Sequence, residues 1–322
     1  MKTYHILFIL ILLTSCTGKK SINPSAEADS IFSIDQTSIV VLGTIQDAGS
    51  PQMGCTKDCC KDLFDNPDPN RKITSLGLID AGNDKTYLFD ASPDIVTQMK
   101  WLTQYEPKSK KEIVDGIFLT HAHTGHYSGL MYFGKESIDA KGLPVFVMPR
   151  MKDYLSNNGP WSQLVNRQNI ILNTMVAEEP VKLSNSIEVI PFLVTHRDEY
   201  SETVGYKIKG PNKTALFIPD INKWRVWEKD INEEIKKVDY AFLDATFYSG
   251  LEMNTRDISQ IPHPFVIESL EHFKNLSVED KNKIIFIHFN HTNPALDPLS
   301  EATRSIIHNG FKIAKTHDVY TL

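Results

Sequence analysis

Short apolar runs recur along the chain and set its architecture. Ile39-Val40-Val41-Leu42-Gly43, residues 73–80 and 86–89, Val114–Thr120, Leu143–Met148, Ile187–Val194, Val204–Ile208, Ala215–Ile218, Tyr240-Ala241-Phe242-Leu243 and Ile284-Ile285-Phe286-Ile287 stand out from polar surroundings. Runs this short predict strands, and the uniformly apolar Tyr240–Leu243 and Ile284–Ile287 predict strands buried on both faces. Residues 73–80 and 86–89 predict a hairpin. Between the strands the apolar positions change to helical spacing. Ile95, Val96, Met99 and Leu102 predict an amphipathic helix from Pro93 to about Leu102. Tyr154, Leu155, Trp161 and Leu164 predict helix over 150–165, interrupted by Asn157-Asn158-Gly159-Pro160, and these aromatics serve either as core or as a ligand clamp. Further helices are predicted over Ile221–Ile235, from Val266 through Phe273, and from Leu299 to about Asn309, where Gly310 stops the last. No internal repeat is visible.

The first 37 residues follow another pattern. Lys2 precedes an unbroken apolar run, Ile6–Leu13, far shorter than the roughly 20 residues a membrane-spanning helix needs. This is the pattern of a signal peptide. Leu13-Thr14-Ser15-Cys16 resembles a bacterial lipobox, which implies cleavage before Cys16, lipidation of that cysteine and export to a bacterial membrane. The expected organisation is a signal segment over 1–16, a flexible polar tether over 17–37 and one domain over 38–322. The chain has 322 residues, 41% hydrophobic and 23% charged, and a net charge of −6. That balance is ordinary for a globular domain and supplies no basic field for nucleic acid. A small-molecule substrate fits it.

The densest chemistry follows Ile117-Phe118-Leu119. His121, His123 and His126 fall within six residues, where a strand end would deliver imidazoles to one point. Imidazole suits zinc, copper or iron. The spacing His121-x-His123-x-Gly125-His126 resembles the metal signature of the metallo-β-lactamase superfamily, except that Gly125 stands where the family has an aspartate. Gly43-Thr44-x-Gln46-Asp47-x-Gly49-x-Pro51-Gln52, followed by cysteines, resembles the pyrroloquinoline-quinone biosynthesis protein B branch, which also includes a cyclic phosphodiesterase. The fold this implies is α+β, an αββα sandwich, spanning about Ile39 to the end of the chain.

The resemblance assigns further positions, each just after an apolar run. It implies that His121, His123 and His196 hold a first ion, and that His126, His288 and Asp220 hold a second, with Asp220 bridging. It makes Asp90 a support for a ligating histidine, and His263 a general acid near the substrate. Local readings compete: Asp90 and Asp220 also suit helix N-caps, and His263 a loop or cap position. Without a carboxylate at position 125 the second site is expected to lack one ligand and one negative charge. The phosphodiesterase relative implies a separate structural zinc held by Cys55, Cys59, Cys60 and His291, a Cys₃His set; free or partly oxidised thiols are the alternative.

One or two zinc ions are expected, with manganese or iron as substitutes. A zinc-bound water ionises near pH 7, so the expected function is metal-dependent hydrolysis of a phosphodiester or similar ester, with Asp220, His263 and Asp90 as its catalytic carboxylates and imidazole. Two alternatives stand beside it: an iron-dependent oxygenase of the quinone-biosynthesis kind, and a non-catalytic binding lipoprotein with a degraded site, which Gly125 favours.

Overall fold

Strand β1 is Ser38–Gly43, β2 Ser75–Asp80, β3 Lys85–Phe89, β4 Gly116–Phe118, β5 Leu143–Val147 and β6 Ile170–Thr174. A second sheet is built from β7 Val181–Lys182, β8 Glu188–Leu193, β9 Val204–Lys209, β10 Thr214–Ile218, β11 Tyr240–Asp244, β12 Ile284–Ile287 and β13 Lys312–Ile313, after which β14, Val319–Thr321, returns to the first. The structure, a computed structural model, describes Met1 and residues 34–105, 111–252 and 260–322. The expected signal segment with Cys16, and the tether as far as residue 33, lie outside the described residues beyond Met1. Residues 34–37 already join the domain: the Ile34 N–H donates to the Tyr105 carbonyl at 3.1 Å.

The first sheet runs β14-β1-β2-β3-β4-β5-β6 and the second β13-β12-β11-β10-β9-β8-β7. In each, one half is antiparallel and the other parallel. The two halves of the chain thus repeat a topology that their sequences do not.

Period-two alternation explains the uniformly apolar runs. Ile39 and Val41, Phe89, Phe118, Phe217, Phe242, Ile285 and Ile287 meet in the layer between the sheets. Their neighbours Val40 and Leu42, Leu88 and Ile117 turn to helix Ile95–Tyr105 and its surroundings on one outer face. Leu216, Ile218, Ala241, Leu243, Ile284 and Phe286 turn to the other, under Trp224, Ile235, Phe273 and Ile306. The result is the expected αββα sandwich. Phe118 is fully buried, stacked between Phe89 and Phe146 at centroid distances of 5.1 and 4.3 Å; such pairs each add about 0.5–1.5 kcal/mol beyond burial.

One predicted helix is broken. Ile221–Ile235 forms only a 3₁₀ turn, Trp224–Val226, and a short helix, Ile231–Lys236. Trp224 donates its indole N–H to Ser269 Oγ, and Trp227 donates to the Leu193 carbonyl, so the tryptophans are spent on cross-layer packing. Asp230, not Asp220, caps that helix, its side chain accepting from the Asn232 N–H. The last helix is Glu301–His308, capped by Ser300, and Gly310 takes φ 90° just beyond it.

The sheets are stitched together at one edge. The Tyr206 hydroxyl of β9 donates to the Leu119 carbonyl, and the Val204 N–H to the Thr120 carbonyl at 3.1 Å. Ile45 bridges both Ile73 and Phe289. The chain segments that follow β1, β3, β4, β10, β11 and β12 all emerge at this seam.

Candidate metal centre

Every histidine and aspartate drawn from the strand ends gathers at the seam. The ligand atoms of His121, His123 and His196 form one group, and those of Asp47, His126, Asp220 and His288 a second, each within 4.8 Å of one another. Asp220 lies between them. Its Oδ1 is 3.6 Å from His196 Nε2, and its Oδ2 is 2.9 Å from His126 Nε2 and 3.2 Å from His288 Nε2. In the first group His121 Nε2 faces His123 Nδ1 at 2.8 Å.

Hydrogen bonds on the outer side of the rings decide which nitrogens point inward. Asp90 is wholly buried and accepts from the Thr120 N–H at 2.7 Å, the Thr120 hydroxyl at 2.9 Å and His126 Nδ1 at 2.7 Å. With its proton given to Asp90, Thr120 Oγ1 accepts from His121 Nδ1 at 3.0 Å. Thr246 repeats the device in the other sheet: its hydroxyl donates to Asp244 at 2.7 Å and accepts from His288 Nδ1 at 3.0 Å. By this assignment His121 and His288 turn an unprotonated Nε2 to the centre, and His126 would do so on giving up its Nε2 proton to a bound ion. Asp90 and His288 both hold φ 68°, a left-handed backbone that costs non-glycine residues of order 1–3 kcal/mol and clusters at functional sites.

The charges match a bound cation. Burial drives the pKa of His121 well below the ordinary imidazole value, lowers that of His123 and brings that of His196 to about 4, so these rings are neutral, the form that ligates. Burial opposes ionisation of Asp220 and Asp47, yet His288 and His126 beside Asp220, and His126 beside Asp47, hold both carboxyls well below their usual range. Burial also opposes the charge on His126, but Asp47 and Asp90 outweigh it and raise its pKa well above normal, so without an ion this ring is itself a positive partner of the buried anions, and a bound cation would take the place of its Nε2 proton. Asp220 Oδ2 nevertheless makes no hydrogen bond, and His196 Nδ1 has no partner. A buried carboxylate oxygen close to two imidazole nitrogens but out of line with both fits an ion among them.

Asp90 stands as the expected support: it has no exposed surface and both oxygens are committed to Thr120 and His126, so it holds a histidine in place and acts on the reaction only through that ring. Two expectations change. The second group does not lack a carboxylate, because Asp47 supplies one, its Oδ1 2.9 Å from His126 Nε2 and 3.2 Å from His288 Nε2. The degraded-site alternative thereby loses its support. Asp47 lies in the Gly43–Gln52 motif, which assigned it no role, although a carboxylate in a glycine-bearing loop after the first strand was the signal available once Gly125 was noted.

His263 stands at the open side, Nδ1 2.8 Å from Asp244 Oδ2 and 3.5 Å from Asp220 Oδ1. Burial opposes its protonation, but Asp244 outweighs that and raises its pKa. His263, Arg197, Lys57, Gln46 and Phe247 line a cleft of about 1030 Å³. Arg197 Nη2 reaches within 3.3 Å of His123 Nε2.

At the far end of that cleft Cys55, Cys59, Cys60 and His291 form a third group, again within 4.8 Å, with no disulfide. His291 engages Asn290 through Nδ1 at 3.1 Å, and the Gln52 N–H donates to Cys60 Sγ at 3.4 Å. Burial pushes the Cys59 thiol up to about 12 and raises that of Cys60, so three thiolates need a cation to coexist here. Cys59→Ser is expected to cost the protein one equivalent of zinc by elemental analysis and several degrees of Tm by calorimetry. Unchanged zinc content would reject this cysteine group as a zinc site.

The sequence profile described as Beta-lactamase superfamily domain matches residues 85–289. The coenzyme PQQ synthesis protein B of Methylorubrum extorquens strain PA1 is 24% identical over 304 residues, covering 88% of this chain and 99% of that protein. Its counterpart in Xanthomonas euvesicatoria pv. vesicatoria is 24% identical over 307 residues, covering 87% and 97%. Among solved structures, Zn(2+)-bound PqqB from Methylobacterium extorquens matches with a TM-score of 0.74 at 20% identity, over 88% of this chain and all of that one. A diphosphatase from the PhnP family matches at 0.60 and 22% identity, over 89% and 97%. Likeness at this level of identity speaks to the fold.

Proposed function

The chain belongs to the β-lactamase superfamily, and from the geometry of its seam we propose that it is a metal-dependent hydrolase of a phosphodiester or similar ester of a small molecule. One observation carries this reading: two groups of inward-facing ligand atoms share the carboxylate of Asp220. His121, His123 and His196 would hold one ion, and Asp47, His126, His288 and Asp220 the other. Zinc is favoured by the Zn(2+)-bound relative, with manganese or iron as substitutes. Zinc, when bound, would bring the pKa of a coordinated water to about 7, and a pair of ions would stabilise charge on both the attacking and the leaving oxygens.

The chain's own residues supply the rest. Arg197 and Lys57 line the cleft against one lining carboxylate, Glu252, a balance that suits an anionic ester. Asp244 engages His263 Nδ1, so Nε2 is the nitrogen left to the cleft, placed to protonate a leaving oxygen. The diphosphatase from the PhnP family supports a phosphate ester or anhydride as substrate class.

The test is a panel of phosphodiesters, thioesters and β-lactams assayed with wild type and His263→Gln. Wild type is expected to turn over phosphodiesters and to lose activity on chelation. His263→Gln is expected to lower kcat by about 10²–10⁴-fold on an alkoxide leaving group and to change it little on p-nitrophenolate, which departs without a proton. Equal losses on both would remove His263 as the acid. No hydrolysis of any panel member would reject the proposal.

A second reading has its own support, the coenzyme PQQ synthesis proteins that match nearly the whole chain. It makes the centre an iron site for oxygen chemistry, since histidine with carboxylate also suits iron. Protein purified without oxygen separates the two: iron content with oxygen uptake favours this reading, zinc or manganese without uptake the hydrolase.

A further inference from the structure

We propose that Asp47 is the carboxylate ligand of the second ion, and that Gly125 is a glycine because Asp47 fills the space a side chain there would need. This rests on the metal-centre reading above and identifies which residue completes it. A Cβ built on Gly125 would lie 2.6 Å from Asp47 Cα and 2.7 Å from its Oδ1. The first of those atoms is backbone and cannot swing aside, so an aspartate at 125 and the present position of Asp47 exclude each other. The two positions are one coordination site that can be filled from either of two chain segments, and in this chain it is filled from the loop after β1.

That loop is built to hold its place. The Gln46 N–H donates to the Phe289 carbonyl at 2.8 Å, and the Phe289 N–H to the Thr44 carbonyl at 2.7 Å. On its other side the Ile45 N–H donates to the Lys72 carbonyl and the Thr74 N–H to the Ile45 carbonyl, at 2.9 and 2.8 Å. Ile45 is buried, and the loop turns away at Gly49, φ 77°, whose N–H returns to the Gln46 carbonyl at 2.9 Å. Asp47 is therefore delivered beside His288 by backbone pairing on both sides, as the strand-end ligands are delivered by their strands. Farther on, the loop reaches Cys55 and meets His291, three residues after His288. Its two ends are then fixed against one segment, 288–291, by two separate ligand groups.

The experiment measures metal stoichiometry and affinity in Asp47→Ala, Gly125→Asp and the double variant Asp47→Gly with Gly125→Asp, each checked for fold by circular dichroism. Equilibrium dialysis with zinc and with manganese, read by elemental analysis, should find Asp47→Ala one equivalent below wild type, or its second-group affinity about 10–100-fold weaker. Hydrogen exchange at residues 44–49 should quicken in that variant. Gly125→Asp alone should perturb the loop through the clash; Asp47→Gly relieves only its side-chain part, since the Cα at position 47 stays, so the double variant should recover the lost equivalent with the loop shifted, read as quicker hydrogen exchange at residues 44–49. Asp47→Ala with wild-type stoichiometry and affinity would overturn the assignment while leaving the metal centre in place. A double variant that folds but does not regain the ion would refute the shared-site relation. Wild-type protein that takes up no ion at either histidine group would overturn the metal-centre reading together with this one.

Discussion

Replacing both His121 and His123 with alanine is expected to cut hydrolysis of any identified ester by about 10³-fold or more and to remove an equivalent of bound metal. The double change is needed because the first group is tripodal: His121 Nε2 and His123 Nδ1 stand 2.8 Å apart, and a single deletion leaves two nitrogens that water can supplement. The fold should survive. Both rings sit past the end of β4, outside the three apolar clusters that hold the layers together. Circular dichroism would check this, and initial rates with elemental analysis would read the effect. Undiminished hydrolysis by a folded double variant would end the hydrolase account.

Asp90→Asn is expected to weaken ion binding at the second group by about 10–100-fold while leaving the fold intact. The amide retains an oxygen for the Thr120 N–H but turns an NH₂ toward His126 Nδ1, which now has a proton directed at it by a donor, not an acceptor. The ring answers by carrying its own proton on Nε2, aimed at Asp47 and Asp220, and a protonated nitrogen cannot ligate. Asp90→Ala has a different cost. It strands the Thr120 N–H and His126 in a volume with no exposed surface, which destabilises by about 3–5 kcal/mol. Titration calorimetry with zinc and thermal melts would separate the two variants: affinity lost with stability kept for Asn, stability lost for Ala. Wild-type affinity in Asp90→Asn would mean that the carboxylate does not set the histidine tautomer.

Much of this was legible in the sequence for a physical reason. A strand buried on both faces must be apolar at every position, so Tyr240–Leu243 and Ile284–Ile287 announce themselves without alternation. The polar residues that converge on the seam are then found by looking one or two residues past each run, which places Asp90, His121, His196, Asp220 and His288. Where the signal was shorter it failed. β7 and β13 have two residues each and β14 has three, too few to carry a period. The repeated topology of the two sheets was invisible because pairing directions, unlike side chains, leave no pattern in composition. The apolar spacing of 221–235 was real but served two tryptophans reaching across layers. Asp47 was hidden for another reason. Its significance depends on an empty volume at Gly125, 78 positions later, and a void has no sequence of its own.

Anomalous diffraction at the zinc edge, from crystals grown with zinc, would locate ions at the seam. One peak is expected among His121, His123 and His196 and another among Asp47, His126, His288 and Asp220, with the Asp220 carboxylate between them. Peaks confined to the cysteine group, with neither histidine group occupied, would contradict that placement.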